Sequence, residues 1–159
     1  MSDRAASLAV LERAVAAVAP FFAGDAATQA RTYAPGKWTV RQLLLHLADS
    51  QTAMLDRLFR LAGEDAPILM NFDENRWAER LAYDRRDLAV AGGLYRAGAA
   101  TIADLCRTLP PTADARQGMH SLGGLRSFAQ QLAYCAEHSA HHLEQIAAAA
   151  AGRSWPPAR

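Results

Sequence analysis

The apolar residues of this chain recur at helical spacing over most of its length. In residues 4–22 they form one stripe at intervals of three and four residues, at Leu8, Leu11, Val15 and Val18. That spacing is typical of an amphipathic helix. Alanine is abundant and runs of β-branched residues are absent, and both features favour helix over strand. The pattern therefore predicts an almost entirely helical chain, with the first helix ending near Gly24.

A second helix begins at a recognisable N-terminal cap. Thr39 and Gln42 have the spacing of a capping box, in which each side chain accepts a hydrogen bond from the other residue's backbone N–H. Trp38 and Leu43 are placed to form a hydrophobic staple around it. The helix is predicted to run to residue 62 and to end at Gly63.

Two long connections separate the remaining helices. The first contains Pro67 and a short predicted helix at residues 74–80, and it leads to a third helix at residues 84–109 that a pair of prolines ends. The second connection is glycine-rich and loop-like. It leads to a fourth helix at residues 125–151, which a glycine ends. Without an internal repeat, residues 1–159 are predicted to form a single domain. Its fold class is all-α, a four-helix bundle with long connections between helices 2 and 3 and between helices 3 and 4.

The composition excludes several classes of function. The chain has 159 residues, 51% of them hydrophobic, which suits one buried core. A net charge of +1 with scattered basic residues predicts no nucleic-acid binding. No run approaches the roughly 18 apolar residues that cross a bilayer, and the first residues lack a signal-peptide core, so no membrane association is expected. With only Cys106 and Cys135, a disulfide framework is excluded and a cytoplasmic setting is expected.

Three of the five histidines fall within five positions, in the segment EHSAHHLEQI of the fourth helix. His138 and His142 lie four residues apart and so share a helical face, where two imidazoles can close on one metal ion. The alternative is a solvated polar face, but Tyr134 and Cys135 share that face. Burying both rings without a partner would be unfavourable. A metal ion would satisfy both.

A third ligand is needed, because catalytic zinc usually takes three protein ligands and keeps one position open. His46 is the candidate, since it stands alone among leucines in LLLHLADS and facing helices of a bundle commonly build such sites. The alternative interpretation of His46 is a core histidine bonded to a backbone carbonyl.

Three further residues near these histidines have more than one interpretation. His141 lies on the flank of the same face. It either donates a hydrogen bond to a metal-binding residue, contacts the substrate or is an ordinary surface residue. His120, in the glycine-rich loop, either touches the site or does not. Cys135 precedes His138 by one turn and could face the metal, but a small buried hydrophobe is its more common role.

Two segments taken together resemble a known family. KWTVRQLLLHLADSQ, followed by HSLGGLRSFAQQLAYCAEHSAHHLEQI, is similar to the DinB/YfiT-like superfamily, over roughly residues 33–146. The resemblance implies a four-helix bundle that holds a divalent metal through one histidine of the second helix and two of the last. The matching residues here are His46, His138 and His142. The YfiT-like branch is the best match within the superfamily.

Two departures from that branch bear on the substrate. YfiT-like chains usually have a tryptophan where this chain has Glu137, and they tend to have a histidine where it has Gln145. The metal site is expected to survive both changes, whereas the identity of the substrate stays open.

The resemblance further implies a divalent-metal-dependent enzyme. Three neutral imidazoles leave a zinc, nickel or manganese ion its full charge, which favours a bound thiolate or lowers the pKa of a bound water toward about 7. The leading hypothesis is transfer of a low-molecular-weight thiol, such as bacillithiol or mycothiol, to an electrophilic substrate. The alternatives are a hydrolase that activates water, and a non-catalytic, stress-associated bundle that only binds metal.

Several residues are candidates for supporting roles in that chemistry. Asp49, one turn after His46, is predicted to accept a hydrogen bond from a ligand or to act as a general base, with a solvated acid as the alternative. Arg76 or Arg80 could pair with the carboxylate of the thiol, or be surface charges. Trp77 is either a wall of the pocket or a cap on the core.

A homodimer is predicted on weaker grounds. The small residues of GGLYRAGAATIADL let helices approach closely, and the resemblance implies pairing, since relatives often associate. The other expected partner is a small-molecule thiol or electrophile.

Overall fold

The computed structural model describes residues 3–156, and it consists of four long helices with short elements between them. The long helices are α1 (Arg4–Val18), α3 (Val40–Gly63), α5 (Leu88–Thr108) and α6 (Phe128–Ala150). Two short helices, α2 (Ala26–Gln29) and α4 (Glu74–Arg80), lie in the connections, and 3-10 turns follow α1 and α5. The predicted four-helix bundle, with its two long connections, is confirmed. The single-domain prediction also covers residues 1–2 and 157–159, which lie outside the described residues.

The helices begin where local side chains cap them. Thr39 accepts a hydrogen bond from the Gln42 N–H, and the Gln42 side chain accepts one from the Thr39 N–H, so the predicted capping box of α3 is present. A second box, between Ser127 and Gln130, starts α6. The side chain of Asp87 caps α5 by accepting hydrogen bonds from the N–H groups of Ala89 and Val90. The caps therefore set α5 and α6 three to four residues later than the apolar pattern predicts.

A small sheet lies in the two long connections, where the sequence predicts no strand. Strands β1 (Ile68–Leu69), β2 (Gln117–His120) and β3 (Gly124–Ser127) stand in that order, with β1 parallel to β2 and β2 antiparallel to β3. The turn into β3 needs Gly124, whose φ of 70° disfavours other residues. These strands are too short, and too poor in β-branched residues, to give a periodic signal.

The core extends along the bundle in two groups of buried side chains. One group surrounds Leu43–Leu47 of α3 and includes Tyr95 of α5, and the other surrounds Phe128 of α6. At Gly92 an added Cβ would lie 2.9 Å from Cγ of Phe22. Helix α5 therefore packs closely against the 3-10 turn that follows α1 only because Gly92 has no side chain. Gly92 thus serves packing within the chain.

The first helical stretch, Arg4–Ala23, has the length and the mean hydropathy, 1.6, that a membrane span would need. The sequence predicts no such span, because no run approaches the roughly 18 apolar residues that cross a bilayer. Within the fold, Leu11, Ala14 and Val18 of this stretch are buried against the other helices. Core helices and signal sequences meet the same two criteria, so the stretch does not by itself indicate a membrane span.

Candidate metal centre

An open cavity of about 630 Å³ lies between α3 and α6 and is bordered by the segments 33–38 and 71–75. Its lining is mixed. Aromatic side chains, charged groups of both signs and amides surround four of the chain's histidines, and the lining includes His46, Arg57, Phe72, Tyr134, His138, His141, His142 and Gln145. The cavity is therefore suited to a polar small molecule.

Three histidines converge on one wall of this cavity. One ring nitrogen each from His46, His138 and His142 lie within 4.8 Å of one another, and the Nε2 atoms of His46 and His138 are 3.1 Å apart. Nitrogen ligands at zinc distances of about 2.0–2.1 Å in a tetrahedral site would be about 3.3 Å apart. The spacing and the donor set, three imidazoles, fit a divalent metal ion.

The helices position these rings by their register. His138 and His142 are one turn apart on α6, and their ring centroids are 4.5 Å apart. His46 projects from the buried face of α3, where the ring of Trp38 lies 4.9 Å away and that of Phe72 lies 6.5 Å away. Nδ1 of His46 is buried without a hydrogen-bond partner in residues 3–156, so the alternative of a core histidine bonded to a carbonyl is not what is observed.

All three rings are held in the neutral form. Burial is the main cause that lowers the pKa of each, to about 3 for His46, about 2 for His138 and about 4 for His142. Repulsion from a neighbouring histidine adds to burial in every case. Near neutral pH the rings therefore carry no charge, which is the state in which imidazole binds a metal.

A hydrogen-bonded chain behind the cluster orients His142. Its Nδ1 lies 2.7 Å from Oε1 of Gln145, and a carbonyl oxygen can only accept, so the proton sits on Nδ1 and the Nε2 lone pair is free. The amide Nε2 of Gln145 donates in turn to Nε2 of His141 at 3.1 Å. His141 thus lines the cavity and supports a cluster histidine through Gln145, without belonging to the cluster.

Replacing Gln145 with leucine is expected to weaken divalent-metal affinity by about 10–100-fold, the usual effect of losing a hydrogen bond to a ligand histidine. Without the hydrogen bond to Gln145, the proton of neutral His142 can lie on either Nδ1 or Nε2. Nitrogen NMR of the imidazoles in metal-free protein reads the tautomer directly, and calorimetry reads the affinity. His141→Ala, which keeps the bond between Gln145 and His142, serves as the control. Unchanged affinity together with an unchanged His142 tautomer would contradict this role for Gln145.

Asp49, which the sequence analysis proposed as a general base, is engaged elsewhere. Its carboxylate receives two hydrogen bonds from Arg86, at 2.5 and 2.9 Å, and it is not among the residues that line the cavity. The Arg86 guanidinium also lies 5.7 Å from the centre of the Tyr83 ring. A carboxylate held in this way ties α3 to the segment before α5, so its contacts favour a structural role for Asp49, and its catalytic role stays a prediction.

Of the other candidate supporting residues, some lie at the cavity and some do not. Arg76 pairs with Asp73 on the exposed surface of α4 and does not line the cavity. Trp77 stacks on Phe72 at 4.4 Å and so backs the cavity wall. Cys135 is fully buried in the core, where burial raises the pKa of its thiol to about 12. His120 accepts hydrogen bonds from two backbone N–H groups in the turn that follows it.

Two features near the histidines were not predicted from the sequence, one in the cavity wall and one behind His141. Arg57 lies on the cavity face of α3, eleven residues after His46, which is about three turns of helix. That spacing was a usable signal. Near the C-terminus, Trp155 packs edge-on against His141 at 4.7 Å and against Tyr33 at 6.0 Å, and its indole N–H donates to Glu144. No local pattern in the tail indicated these contacts.

Known proteins resemble this chain in sequence and in fold. A protein of Oceanobacillus iheyensis named "Putative metal-dependent hydrolase" is 32% identical over 124 residues, which cover 78% of this chain and 72% of the relative. YfiT from Bacillus subtilis, described as "a probable metal-dependent hydrolase with an unusual four-helix bundle topology", matches at a TM-score of 0.85 and 26% identity, over 95% of this chain and 89% of YfiT.

A more distant structure shares the fold. The mycothiol-dependent maleylpyruvate isomerase matches at a TM-score of 0.71 and 16% identity, over 91% of this chain and 60% of that one. The sequence profile of the DinB superfamily matches residues 4–146. The resemblance seen in the two histidine segments is thereby confirmed. Because that profile spans nearly the whole bundle, and a relative is 32% identical over most of it, this chain belongs to the DinB superfamily.

Proposed function

We propose that this protein is a divalent-metal-dependent enzyme that transfers a low-molecular-weight thiol to an electrophilic substrate. The observation that carries the proposal is the convergence of three neutral imidazoles on the wall of an open cavity. A divalent cation held by His46, His138 and His142 would supply a positive charge that lowers the pKa of a bound thiol or water.

The residues of the chain have distinct tasks in this proposal. The three histidines hold the cation, and Gln145 keeps the His142 proton on Nδ1, away from it. Trp38 and Phe72 lie beside His46 and limit the access of water to that ring. Trp77, stacked on Phe72, holds this cover in place.

The choice of a thiol over water rests on the surroundings of the histidines. Among residues 3–156, no carboxylate is hydrogen-bonded to any of the three rings, whose partners are each other and Gln145. The carboxylates that line the cavity, Glu74 and Glu137, are exposed. A thiol, with a pKa of about 8.5, needs less help to ionise than water does, so it requires no dedicated general base.

A hydrolase that activates water is the second candidate. It is favoured by the relatives, since the Oceanobacillus protein and YfiT both carry descriptions as metal-dependent hydrolases. A third, non-catalytic function would require a closed metal site with a fourth protein ligand. In the described part of the chain, the ligand cluster contains three residues and faces the cavity.

Titration of a thiol into the cobalt-substituted protein tests the proposal. We expect bacillithiol, mycothiol or cysteine to produce a sulfur-to-cobalt charge-transfer band, with an apparent thiol pKa below the free value of about 8.5. The absorption spectrum is the measurement. The Cys135→Ser variant must show the same band, since otherwise the protein's own thiol is responsible.

Two other outcomes would replace the proposal. If no thiol produces the band and an ester or amide is turned over, the hydrolase candidate holds. If neither occurs and the cobalt spectrum reports four protein ligands, the metal is structural.

Pairing of two chains and a cytoplasmic location belong to the same proposal. Val90 and Leu94 of α5 are exposed, and so are Ile68, Met119 and Leu125, which are neighbours across the sheet. Exposed apolar residues in such groups favour association with another surface.

Zinc, nickel and manganese all suit imidazole ligands, and metal analysis of the purified protein decides among them.

A further inference from the structure

Arg57 is a buried cation in the wall of the cavity. It extends from the same face of α3 as His46, and only 3% of its surface is exposed. Lysine and arginine are almost never buried to this extent unless a carboxylate pairs with them. The position of Arg57 therefore calls for an account of what balances its charge.

The bonds of Arg57 leave one edge of the guanidinium unused. Nε and Nη2 both donate to the backbone carbonyl of Met70, at 3.1 and 2.7 Å, which occupies one edge. Within residues 3–156, Nη1 makes no hydrogen bond and no carboxylate forms an ion pair with Arg57. The adjacent acid, Asp56, is bonded to Arg60 instead. A carbonyl dipole offsets only part of a full charge.

A second arginine adds to the positive charge near Arg57, while Tyr134, Cys135 and Asp56 act in the opposite direction. Arg126, from β3, also forms no ion pair in the described part of the chain, and its guanidinium lies 5.1 Å from the centre of the Tyr134 ring. Burial is the main cause that lowers the pKa of Arg57, and repulsion from Arg126 adds to it. Arg57 also lowers the pKa of His120. Arg126 and Arg57 therefore repel each other.

We infer that Arg57 forms an anion subsite that binds a carboxylate group of the substrate or of the thiol. The free Nη1–Nη2 edge presents two parallel donors, which match the two oxygens of a carboxylate. The Phe72 ring lies 5.7 Å from the guanidinium and shields it from bulk water, and Asn71 and Asn75 line the same cavity and add amide groups. The inference rests on the proposed function, since it places one end of the ligand at Arg57 and the reacting end at the histidines.

This subsite differs from the one that the sequence suggested. Arg76 or Arg80 was the candidate partner for a carboxylate, but Arg76 is bonded to Asp73 on the surface and neither lines the cavity. Arg57 is buried in the cavity wall, whereas Arg76 and Arg80 are exposed to solvent, where a free charge is inexpensive. Pairing with an incoming carboxylate would also relieve its repulsion with Arg126.

Binding of succinate to the full-length, chelator-treated protein tests the subsite without any metal. We expect succinate, but not the uncharged succinamide, to shift the Arg57 Nε–Hε resonance and to raise the melting temperature. Arg57→Met should weaken succinate binding at least about tenfold, as expected for the loss of charge-assisted hydrogen bonds. Arg57→Lys keeps the charge without the paired donors and should bind with intermediate affinity.

The matched control is Arg60→Gln, on the same helix, which removes an exposed arginine that pairs with Asp56 and Glu64. It should bind succinate like the wild type. The inference is overturned if the wild type does not distinguish succinate from succinamide. It is equally overturned if Arg57→Met, with wild-type helix content, binds succinate as tightly as the wild type.

The cobalt experiment separates this inference from the proposed function. If the subsite is wrong and the function right, thiols still produce the charge-transfer band while succinate fails to bind the metal-free protein. If the function is wrong and the subsite right, succinate binding to Arg57 persists and no thiol produces the band.

Discussion

Replacing His142 with alanine is expected to abolish stoichiometric binding of a divalent cation while leaving the helix content largely intact. Two imidazoles, His46 and His138, would remain, and catalytic zinc usually takes three protein ligands. We expect affinity to fall by more than about 100-fold, because losing even a hydrogen-bond partner of a ligand costs about 10–100-fold. Alanine is a strong helix former, so α6 should persist. Elemental analysis and calorimetry measure the binding, and circular dichroism measures the helix content.

His141→Ala is the matched control for this prediction. It removes the histidine next to His142, which lines the cavity but lies outside the ligand cluster, and it should retain a bound cation. In the wild type, saturating metal at about 1,000 times its Kd should add about 4 kcal/mol to the free energy of unfolding. A wild-type protein that binds no zinc, nickel or manganese after reconstitution would remove the basis of the metal centre.

Replacing Asp49 with asparagine is expected to destabilise the fold without changing metal affinity. Breaking a buried ion pair costs about 3–5 kcal/mol, and since Arg86 stays about a third exposed we expect about 2–3 kcal/mol here. For a chain of this size that loss lowers the melting temperature by about 5–10 °C. Thermal unfolding of the metal-free protein and calorimetric metal titration measure the two effects.

The control for Asp49 is another acid of the same helix. Asp56 pairs with Arg60, and both side chains are about half exposed, so Asp56→Asn should change stability by less than about 1 kcal/mol. If Asp49→Asn has wild-type stability but loses turnover, then Asp49 is catalytic, as the sequence suggested, and its structural assignment is wrong.

The parts of the fold that were predicted correctly depend on neighbours within a few residues. The capping box at Thr39 and Gln42 is a local arrangement, and so is the stripe of α1, since both involve residues at most four positions apart. The sheet was missed because its strands pair across long intervals, with Ile68 opposite Met119, and each strand is two to four residues long. Such strands are too short to have a recognisable period.

In the candidate site too, local spacing predicted some of the contacts and not others. The spacing of His138 and His142 is a property of any helix, and the isolated His46 could be matched to them through the resemblance. Whether these histidines bind a metal stays a prediction, but the structure brings their ring nitrogens together. The partners of Asp49 and Arg57 were not predictable in this way, because they depend on the rotation of α3 against distant segments.

The sequence by itself determined the four helices, the capping box at Thr39 and Gln42, and the pair of histidines one turn apart, because backbone geometry relates residues up to four positions apart in the same way in every helix. Only the tertiary structure decided that Arg86 neutralises Asp49 and that, within residues 3–156, Arg57 is left without a carboxylate partner. These pairings follow from how helices pack and rotate against each other. That packing is set by the whole core, which no short segment of the chain encodes.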